Sequence, residues 1–350
     1  MIIGPNAQGK TSILESLSLV TTLASFRTHK TSEMISGGES QASVTAELSN
    51  PTRSKVVLGL GENKKFLKVD NKEIPSKSKY PFLGSSVSFS PDDLYLIKGS
   101  AEQRRLFLDE LGVSLDPGFS KILQRFDQVL KQRNKLLKSI KNGRFLYEEY
   151  SLWTEKFVEA AIPVYEGRLR FVKILNDCLP KIYSDLFQTP EALSIEYQHS
   201  LSADELIAEA LFKKINQLGE AERAIGHSLV GPHRDDFQIK INQFSSRTYG
   251  SQGQIRGIVI ALKVAQLELT RANRNWSPIL LLDDIVSELD DRRVKALINY
   301  LTSYPGQLFV TTAEVDKVKA LHSQFSGFKI IDLAAETRPF SFTNNPQIEL

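Results

Sequence analysis

Hydrophobic positions recur along the chain in two periods, which predict helices alternating with short strands. Residues 12–24 place apolar side chains at helical spacing and predict an amphipathic helix. The runs 42–48, 55–60 and 65–69 are alternating or β-branched and are separated by turn residues. These three runs predict a small antiparallel sheet, and residues 87–90 predict a further short strand.

The middle of the chain, from about residue 101 to 225, has few glycines and reads as helical. Its clearest segment is 119–141, where Leu123, Leu130 and Leu137 recur every seven residues. The segment therefore predicts a long amphipathic helix inside a helical block.

After residue 225 the pattern alternates again between helices and continuous apolar strands. The predicted strands are 237–241, 279–282, 307–312 and 329–333, and the predicted helices are 254–272 and 292–304. This alternation is typical of an α/β domain with a largely parallel sheet. We expect a discontinuous α/β domain formed by residues 1–98 and 226–350, with a helical domain inserted at 99–225.

Composition and charge narrow the function classes. The chain has 350 residues, 41% of them hydrophobic and 24% charged, with a net charge of +3, so any nucleic-acid surface must be local. Cys178 is the single cysteine, which excludes an internal disulfide and fits a reducing, cytoplasmic setting; we expect it to be a small buried residue. The apolar runs are shorter than a membrane span, so no membrane partner is expected.

A phosphate-binding loop stands at the start of the chain and matches the pattern G-x-x-x-x-G-K-[ST]. Its residues are Gly4, Pro5, Asn6, Ala7, Gln8, Gly9, Lys10 and Thr11. Backbone N–H groups of such a loop surround the phosphates of ATP, while the lysine reaches the β- and γ-phosphates and the threonine hydroxyl holds Mg²⁺. A strand before it and a helix after it are the context that this motif requires.

Two carboxylates follow the buried strand 279–282. Asp283 ends the strand and is placed to hold Mg²⁺, directly or through water. Asp284 is one residue further on, where it could orient or deprotonate the attacking water, so we assign it with Lys10 to catalysis.

A second glycine-containing element begins the helix 254–272. It consists of Ser251, Gln252, Gly253 and Gln254. A helix N-terminus presents free N–H groups and a positive dipole end to an anion. The element resembles the signature motif of ABC ATPases, which reads the γ-phosphate bound to the opposite subunit. In that class a D-loop follows the carboxylates, here 287–290, and transporters usually carry a histidine where this chain has Thr311-Thr312.

A basic region lies on the helix 119–141, with Asp127 as its single acid between residues 121 and 144. The candidate DNA contacts are Lys121, Arg125, Lys131, Lys135 and Lys138. A phosphate-neutralising stripe and an ordinary solvated helix face are both open interpretations. His233 with Asp235 and Asp236 could suggest a metal site, but no further ligand stands at suitable spacing, so packing or a subunit contact is the preferred interpretation.

Taken together, seven motifs resemble the RecF family, bacterial recombination-mediator ATPases related to the heads of SMC and Rad50 proteins. In chain order these are 4–11, 25–28, 89–94, 104–109, 229–236, 251–254 and 281–290. They span nearly the whole chain in the family's order. The fold implied is an ABC-type (SMC/Rad50-head-like) P-loop ATPase domain with an inserted helical domain.

The resemblance implies an ATP-dependent homodimer that binds single-stranded, gapped or junction DNA. It implies that RecO- and RecR-type mediator proteins are partners in recombinase loading, with roles in replication and the SOS response. ATP and Mg²⁺ would be the cofactors, and slow, DNA-stimulated hydrolysis would release the DNA. Gln103 is a candidate for the Q-loop glutamine.

Two features depart from the family pattern. Gln254-Ile255-Arg256 stands where the family usually has Gln-Gln-Arg, a change that we expect on the surface of the first helical turn. The family also carries strands ahead of the loop, whose own strand often reads Val-Ile-Ile, whereas this chain begins Met1-Ile2-Ile3. We hypothesise that Met1 is an internal GTG codon read as a start codon; an immediate in-frame stop codon upstream would rule this out.

Three other functions remain as alternatives. A transporter ATPase subunit keeps its loop and signature motifs closer together than Lys10 and Ser251. An SMC- or Rad50-like structural protein needs a longer coiled coil than a block of about 125 residues provides. A binder that does not hydrolyse ATP is the third, and an ATPase assay with gapped DNA separates it from an enzyme.

Overall fold

The computed structural model describes residues 1–28, 30–49, 54–61, 64–74, 85–144, 146–201, 205–274, 276–284, 289–313 and 329–334. Backbone proximity groups the chain into two compact units. Unit 1 comprises Met1–Leu94, Asp185–Thr189 and Arg256–Leu350, and unit 2 comprises Tyr95–Ser184 and Pro190–Ile255. Residues 226–255 thus group with the helical part of the chain, and the domain boundaries inferred from sequence stay a prediction.

The secondary structure within the described ranges alternates as the sequence pattern indicates. The strands are β1 (Ile2–Ile3), β2 (Gln41–Leu48), β3 (Ser54–Gly61), β4 (Lys64–Val69), β5 (Lys72–Glu73), β6 (Ser86–Phe89), β7 (Leu193–Gln198), β8 (Asp236–Ile241), β9 (Phe244–Ser245), β10 (Ile279–Asp283), β11 (Leu308–Thr312) and β12 (Ile331–Asp332). The helices are α1 (Lys10–Thr22), α2 (Tyr95–Lys98), α3 (Ala101–Leu115), α4 (Phe119–Lys141), α5 (Tyr147–Phe187), α6 (Ile207–Ile225), α7 (Ser246–Tyr249), α8 (Gln252–Ala272) and α9 (Asp291–Thr302).

The central sheet of unit 1 is parallel throughout, in the order β12-β1-β11-β10-β6. The strands are short, and β1, β10 and β11 begin with continuous apolar runs, as expected where helices can cover both faces of a parallel sheet. Ile2 and Leu281 pack with Ile13, Leu14 and Leu17, the apolar face of α1. The prediction of an α/β domain with a parallel sheet is confirmed, and the helix at its start differs from the predicted one by two residues at each end.

A second sheet of unit 1 is antiparallel, in the order β2-β3-β4-β5. Its inner face carries Val56, Leu58 and Leu60 of β3, which pack against Leu19 and Val20 of α1. Its first three strands match the predicted ones. The two-residue β5 was not predicted, because its sequence is polar and shows no apolar period.

Unit 2 combines the long helices with a three-stranded antiparallel sheet, ordered β7-β8-β9. Helix α4 covers the predicted segment 119–141. Strand β7 lies within the segment 101–225, which the sequence pattern describes as helical, and it was not predicted. Leu193 and Ile195 alternate with polar residues and bury their side chains, so a strand signal is present in the sequence. Across the described ranges, the helices fall short of the length and apolarity that a bilayer crossing requires.

Candidate nucleotide-binding site

The phosphate-binding loop connects β1 to α1 at the carboxyl edge of the parallel sheet. Gly9 has φ 87° and precedes the first helical residue without a side-chain cap, so N–H groups of the first turn point out of the helix. This left-handed conformation favours glycine; a methyl group would meet nothing within 4 Å, so the requirement comes from the backbone alone. Residues 5–8 are exposed. The loop is therefore open to an anion from solvent.

Lys10 turns its ammonium back into the loop. Nζ donates hydrogen bonds to the carbonyl oxygens of Gly4 at 2.8 Å and Pro5 at 2.9 Å, and the residue is buried. A lysine is rarely buried unless its charge has partners, and here two backbone oxygens provide them. The positive charge is held within the loop, where phosphate oxygens would bind.

The β10–β11 register brings Asp283 to the loop. Strand β11 lies between β1 and β10, and Thr311 is aligned with both Ile2 and Asp283. Thr11 Oγ1 donates to Asp283 Oδ1 at 2.9 Å, and Thr311 Oγ1 donates to the same oxygen at 2.7 Å. The pair assigned to Mg²⁺ from the sequence, Thr11 and Asp283, is thus in contact although 272 residues separate it.

These oxygens suit Mg²⁺, which prefers hard oxygen ligands and binds through one or two protein groups together with phosphates and water. No group of three or more His, Cys, Asp or Glu side chains able to hold a metal occurs among the described residues. The Thr11 hydroxyl and the Asp283 carboxylate therefore fit a Mg²⁺ site in which phosphates and water would supply the remaining ligands. Thr311 was not assigned a role from the sequence, and its position at the end of an apolar strand was the available signal.

Asp284 adopts φ 48°, an unusual conformation for a non-glycine residue. Its N–H group lies 3.2 Å from the Thr311 carbonyl oxygen and 3.1 Å from Thr311 Oγ1, and it donates to both. Asp284 directly follows β10 and is therefore next to the Thr11–Asp283 contact. Of the D-loop predicted at 287–290, residues 287 and 288 lie outside the described residues.

The turn after β6 flanks Asp283 on the other side, because Phe89 is aligned with Leu282 of β10. Asp93 accepts the Ser90 N–H at 2.7 Å and forms a 2.7 Å ion pair with Lys263 of α8, and both of its partners are buried. A buried, paired carboxylate fixes the turn. The Lys263–Asp93 pair was not predicted from the sequence.

The signature element begins α8 and belongs to unit 2, whereas the phosphate-binding loop belongs to unit 1. The Gln254 N–H donates to Ser251 Oγ at 3.2 Å, and the Ser251 N–H donates to Gln254 Oε1 at 2.8 Å. This is a capping box, which fixes the first turn of the helix. Ser251 and Gln252 are exposed, and Gly253 and Gln254 are half-buried.

Gln103, the candidate Q-loop residue, caps helix α3 in the same way. Its Oε1 accepts the Ser100 N–H at 3.0 Å, and its own N–H donates to Ser100 Oγ. The side chain is therefore used in local structure of unit 2.

The five candidate DNA contacts are all exposed on α4. At 3.6 residues per turn they fall within an arc of roughly 140°, on the side opposite the buried positions. Lys131 pairs with Asp127 at 2.6 Å and Arg125 with Glu159 at 3.8 Å. Among the described residues, Lys121, Lys135 and Lys138 form no ion pair within 4 Å, so the stripe retains part of its positive charge.

The group around His233 is a packing cluster, in agreement with the preferred interpretation. His233 lies 6.0 Å from the ring of Phe126 and 6.1 Å from that of Phe157, and burial lowers its pKa to about 4. Asp236 forms a bidentate ion pair with Arg104. Asp235 accepts from the Tyr197 hydroxyl at 2.9 Å, and burial raises its pKa to about 6.

Cys178 is half-buried on α5 rather than fully buried, and burial raises the pKa of its thiol. A raised pKa lowers the thiolate fraction and hence the reactivity. The residue thus lacks the environment of a reactive cysteine.

Comparison with known proteins identifies the structural class of this chain. A family described as RecF/RecN/SMC N terminal domain matches residues 1–331. The solved structure of the recombination mediator protein RecF-ATPrS in the RecFOR pathway has a TM-score of 0.83 and 30% identity, covering 95% of this chain and 89% of that chain. The fold is that of an ABC-type P-loop ATPase domain.

Curated relatives narrow the class to one family. The DNA replication and repair protein RecF of Cyanothece sp. is 33% identical, covering 89% of this chain and 85% of that protein. The protein of the same description from Bacillus cytotoxicus is 34% identical, covering 96% of this chain and 91% of that protein. The chain belongs to the RecF family.

Proposed function

We propose that this chain is a cytoplasmic, ATP-dependent DNA-binding protein of recombinational repair and replication. The observation that carries the proposal is the convergence of Lys10, Thr11 and Asp283 at the carboxyl edge of a parallel sheet in a RecF-family chain. Ligands of open α/β sheets bind at this edge. A relative solved as RecF-ATP supports ATP as the ligand.

The residues of the loop have distinct roles in this proposal. Backbone N–H groups of residues 4–11 bind the phosphates, and the Lys10 ammonium exchanges its carbonyl partners for phosphate oxygens. Thr11 and Asp283 hold Mg²⁺, which supplies charge neutralisation when bound. Asp284 orients the attacking water and accepts its proton.

A second copy of the chain completes the site. Ser251 to Gln254 present an exposed, capped helix N-terminus, and such a terminus favours a negative charge. We assign it to the γ-phosphate held by the loop of the partner copy. ATP thereby joins two copies, and slow hydrolysis separates them and releases DNA.

The basic face of α4 is the proposed DNA surface. Lys121, Arg125, Lys131, Lys135 and Lys138 would neutralise backbone phosphates without reading sequence, as suits gapped or single-stranded DNA. RecR- and RecO-type mediators are the proposed protein partners, since a relative is described within the RecFOR pathway. Recombinase loading and SOS induction are the cellular roles that follow.

The alternatives are weaker on specific grounds. Family membership over about nine tenths of the chain disfavours a transporter subunit. The long helices α4 and α5 lie largely in compact unit 2, which disfavours an extended coiled coil. A binder without hydrolysis remains the second candidate, because it needs the same loop but not Asp284.

Retention of gapped DNA, with and without ATP, tests the switch. Lys10→Ala should abolish ATP binding and ATP-dependent retention, whereas Asp284→Asn should trap the ATP-bound dimer and prolong retention. Phosphate release by the wild type on gapped DNA separates the enzyme from the binder. Equal retention by all three proteins under both conditions would contradict the switch.

Charge variants test the DNA face. Lys135→Glu with Lys138→Glu should weaken DNA binding and reduce the slope of log affinity against log salt by about one per lost phosphate contact. Lys173→Glu with Lys181→Glu, at two exposed positions of α5, is the control matched in charge. Equal losses from the two changes would indicate a general charge effect rather than a binding face.

A further inference from the structure

The signature glutamine is bonded at both ends of its side-chain amide. Gln254 Oε1 accepts the Ser251 N–H at 2.8 Å, while Gln254 Nε2 donates to Glu191 Oε1 at 2.6 Å. Glu191 is remote in sequence and lies in the short connection between α5 and β7. It is not part of the signature motif, and no sequence pattern pointed to it.

Glu191 is itself held in place. The Tyr183 hydroxyl donates to Glu191 Oε2 at 2.8 Å, and Tyr183 is a buried residue of α5. Each carboxylate oxygen therefore accepts a defined hydrogen bond. Since α5 and β7 flank the connection, the carboxylate has a fixed position relative to the start of α8.

The oxygen and nitrogen ends of an amide have nearly the same shape, so packing does not distinguish them. A hydrogen-bonding partner such as a carboxylate does. An ionised carboxylate only accepts hydrogen bonds, so it selects the nitrogen end. Gln254 Oε1 must then face the Ser251 N–H. In the reverse orientation, two donors would face each other at Ser251.

The orientation controls what Ser251 presents to solvent. Its N–H is bonded to Gln254 Oε1, and its Oγ accepts the Gln254 N–H at 3.2 Å. A hydroxyl has one proton to donate. With the backbone N–H filling an acceptor position on Oγ, the proton of this exposed side chain remains available to an incoming acceptor.

We propose that Glu191, buttressed by Tyr183, is the positioning residue of the signature element. It sets Ser251 as a hydrogen-bond donor to the γ-phosphate held by a second copy of the chain. The inference rests on the proposed ATP-dependent dimer and extends it to a residue outside the motifs. Glu191 acts through Gln254 and does not contact the nucleotide.

The test uses ATP-dependent dimerisation of the full chain, measured by energy transfer between two labelled populations. Glu191→Ala should weaken the dimer roughly tenfold or more, as expected for loss of a hydrogen bond to a charged group. Its own affinity for a fluorescent ATP analogue should stay within about twofold of wild type, because the loop is unchanged. Glu191→Gln should restore dimerisation only in part, because its amide can turn either its oxygen or its nitrogen toward Gln254 and so no longer selects one orientation of the signature amide.

A matched control is Glu196→Ala, which removes an exposed carboxylate of β7 that pairs with Lys240. It should dimerise like the wild type. Mixing Glu191→Ala with Lys10→Ala adds a test in trans. One composite site of the mixed dimer combines the intact loop of the first variant with the intact signature of the second, so the mixture should dimerise better than either variant alone.

Three outcomes would overturn the inference while leaving the proposed function intact. These are wild-type dimerisation by Glu191→Ala, equal weakening by the Glu196→Ala control, or no gain on mixing. Loss of nucleotide binding by Glu191→Ala itself would show a general structural role and also overturn it. If the wild type fails to dimerise with ATP, the proposed function fails first.

Discussion

Glu222→Gln is expected to destabilise unit 2, because it removes the anionic partner of a buried arginine. Arg133 and Glu222 are both 0% exposed, and their side chains meet at 2.6 Å. Glu222 also accepts the Leu229 N–H at 2.8 Å, and Arg133 donates to Ser228 Oγ at 2.7 Å. The pair therefore joins α4, α6 and the segment that follows α6.

The size of the effect follows from burial. Removing one partner of a buried ion pair typically costs about 3–5 kcal/mol, because an uncompensated charge remains inside. Glutamine keeps one acceptor for Leu229, which places the expected loss near the lower end, about 3 kcal/mol. With a urea slope of about 2 kcal/mol/M, the midpoint should fall by about 1.5 M.

Tryptophan fluorescence provides an assay specific to this unit. The chain has two tryptophans, Trp153 in unit 2 and Trp276 in unit 1. Trp153 packs against Leu136 and Leu137 of α4. In a Trp276→Phe background, urea unfolding followed by fluorescence reports on the surroundings of the buried pair.

A double-mutant cycle supplies the control. Arg133→Met alone should also destabilise, because it leaves Glu222 buried without its cation. Combined with Glu222→Gln, it removes both charges, so the double variant should lose at least about 2 kcal/mol less than the sum of the single losses. Single losses below about 1 kcal/mol that simply add would refute the reasoning.

Two further predictions concern the pH dependence of stability and the Thr11–Asp283 pair proposed to hold Mg²⁺. Burial raises the pKa of Asp235 to about 6, so its contribution to the unfolding free energy falls as the pH rises from about 4 to 6. Burial lowers the pKa of His233 to about 4, so its contribution increases as the pH rises from about 4 to 6.5. Relative to wild type, the unfolding free energy of Asp235→Asn, measured in urea, should therefore rise with pH, by up to roughly 3 kcal/mol. That of His233→Gln should fall with rising pH. Profiles parallel to that of the wild type would contradict this reasoning. Thr311→Val removes the hydroxyl that donates to Asp283 Oδ1, and calorimetry should show nucleotide affinity reduced about tenfold with Mg²⁺ but little changed without it. Equal losses of affinity with and without Mg²⁺ would indicate that the substitution disturbs the phosphate-binding loop instead.

Local sequence predicted most of the elements that build the candidate site. The apolar strand before Asp283 and the glycine-lysine loop before α1 are continuous signals within about ten residues. For that reason the helix after the loop and the strand before Asp283 were placed within two residues of their observed ends. Strand β7 was missed although Leu193 and Ile195 alternate with polar residues.

Contacts between distant residues could not be predicted in the same way. Arg133 belongs to the basic segment in sequence, yet it is buried against Glu222 because its position on α4 faces α6. Glu191 reaches Gln254 across 63 residues. In each case the side chain's chemistry is ordinary, and its partner is defined only by packing.

The sequence alone determined the chemical groups of this protein: a phosphate-binding loop, two carboxylates after a buried strand, a glycine-containing helix start and a basic helix. These are local patterns, which backbone geometry and hydrophobic periodicity translate into elements directly. Only the tertiary structure decided that Thr11 and Thr311 share one oxygen of Asp283, because that contact depends on the order and register of β1, β11 and β10. Strand order is set by burial of apolar faces over the whole unit, so residues far apart in the chain become neighbours for reasons that no short segment contains.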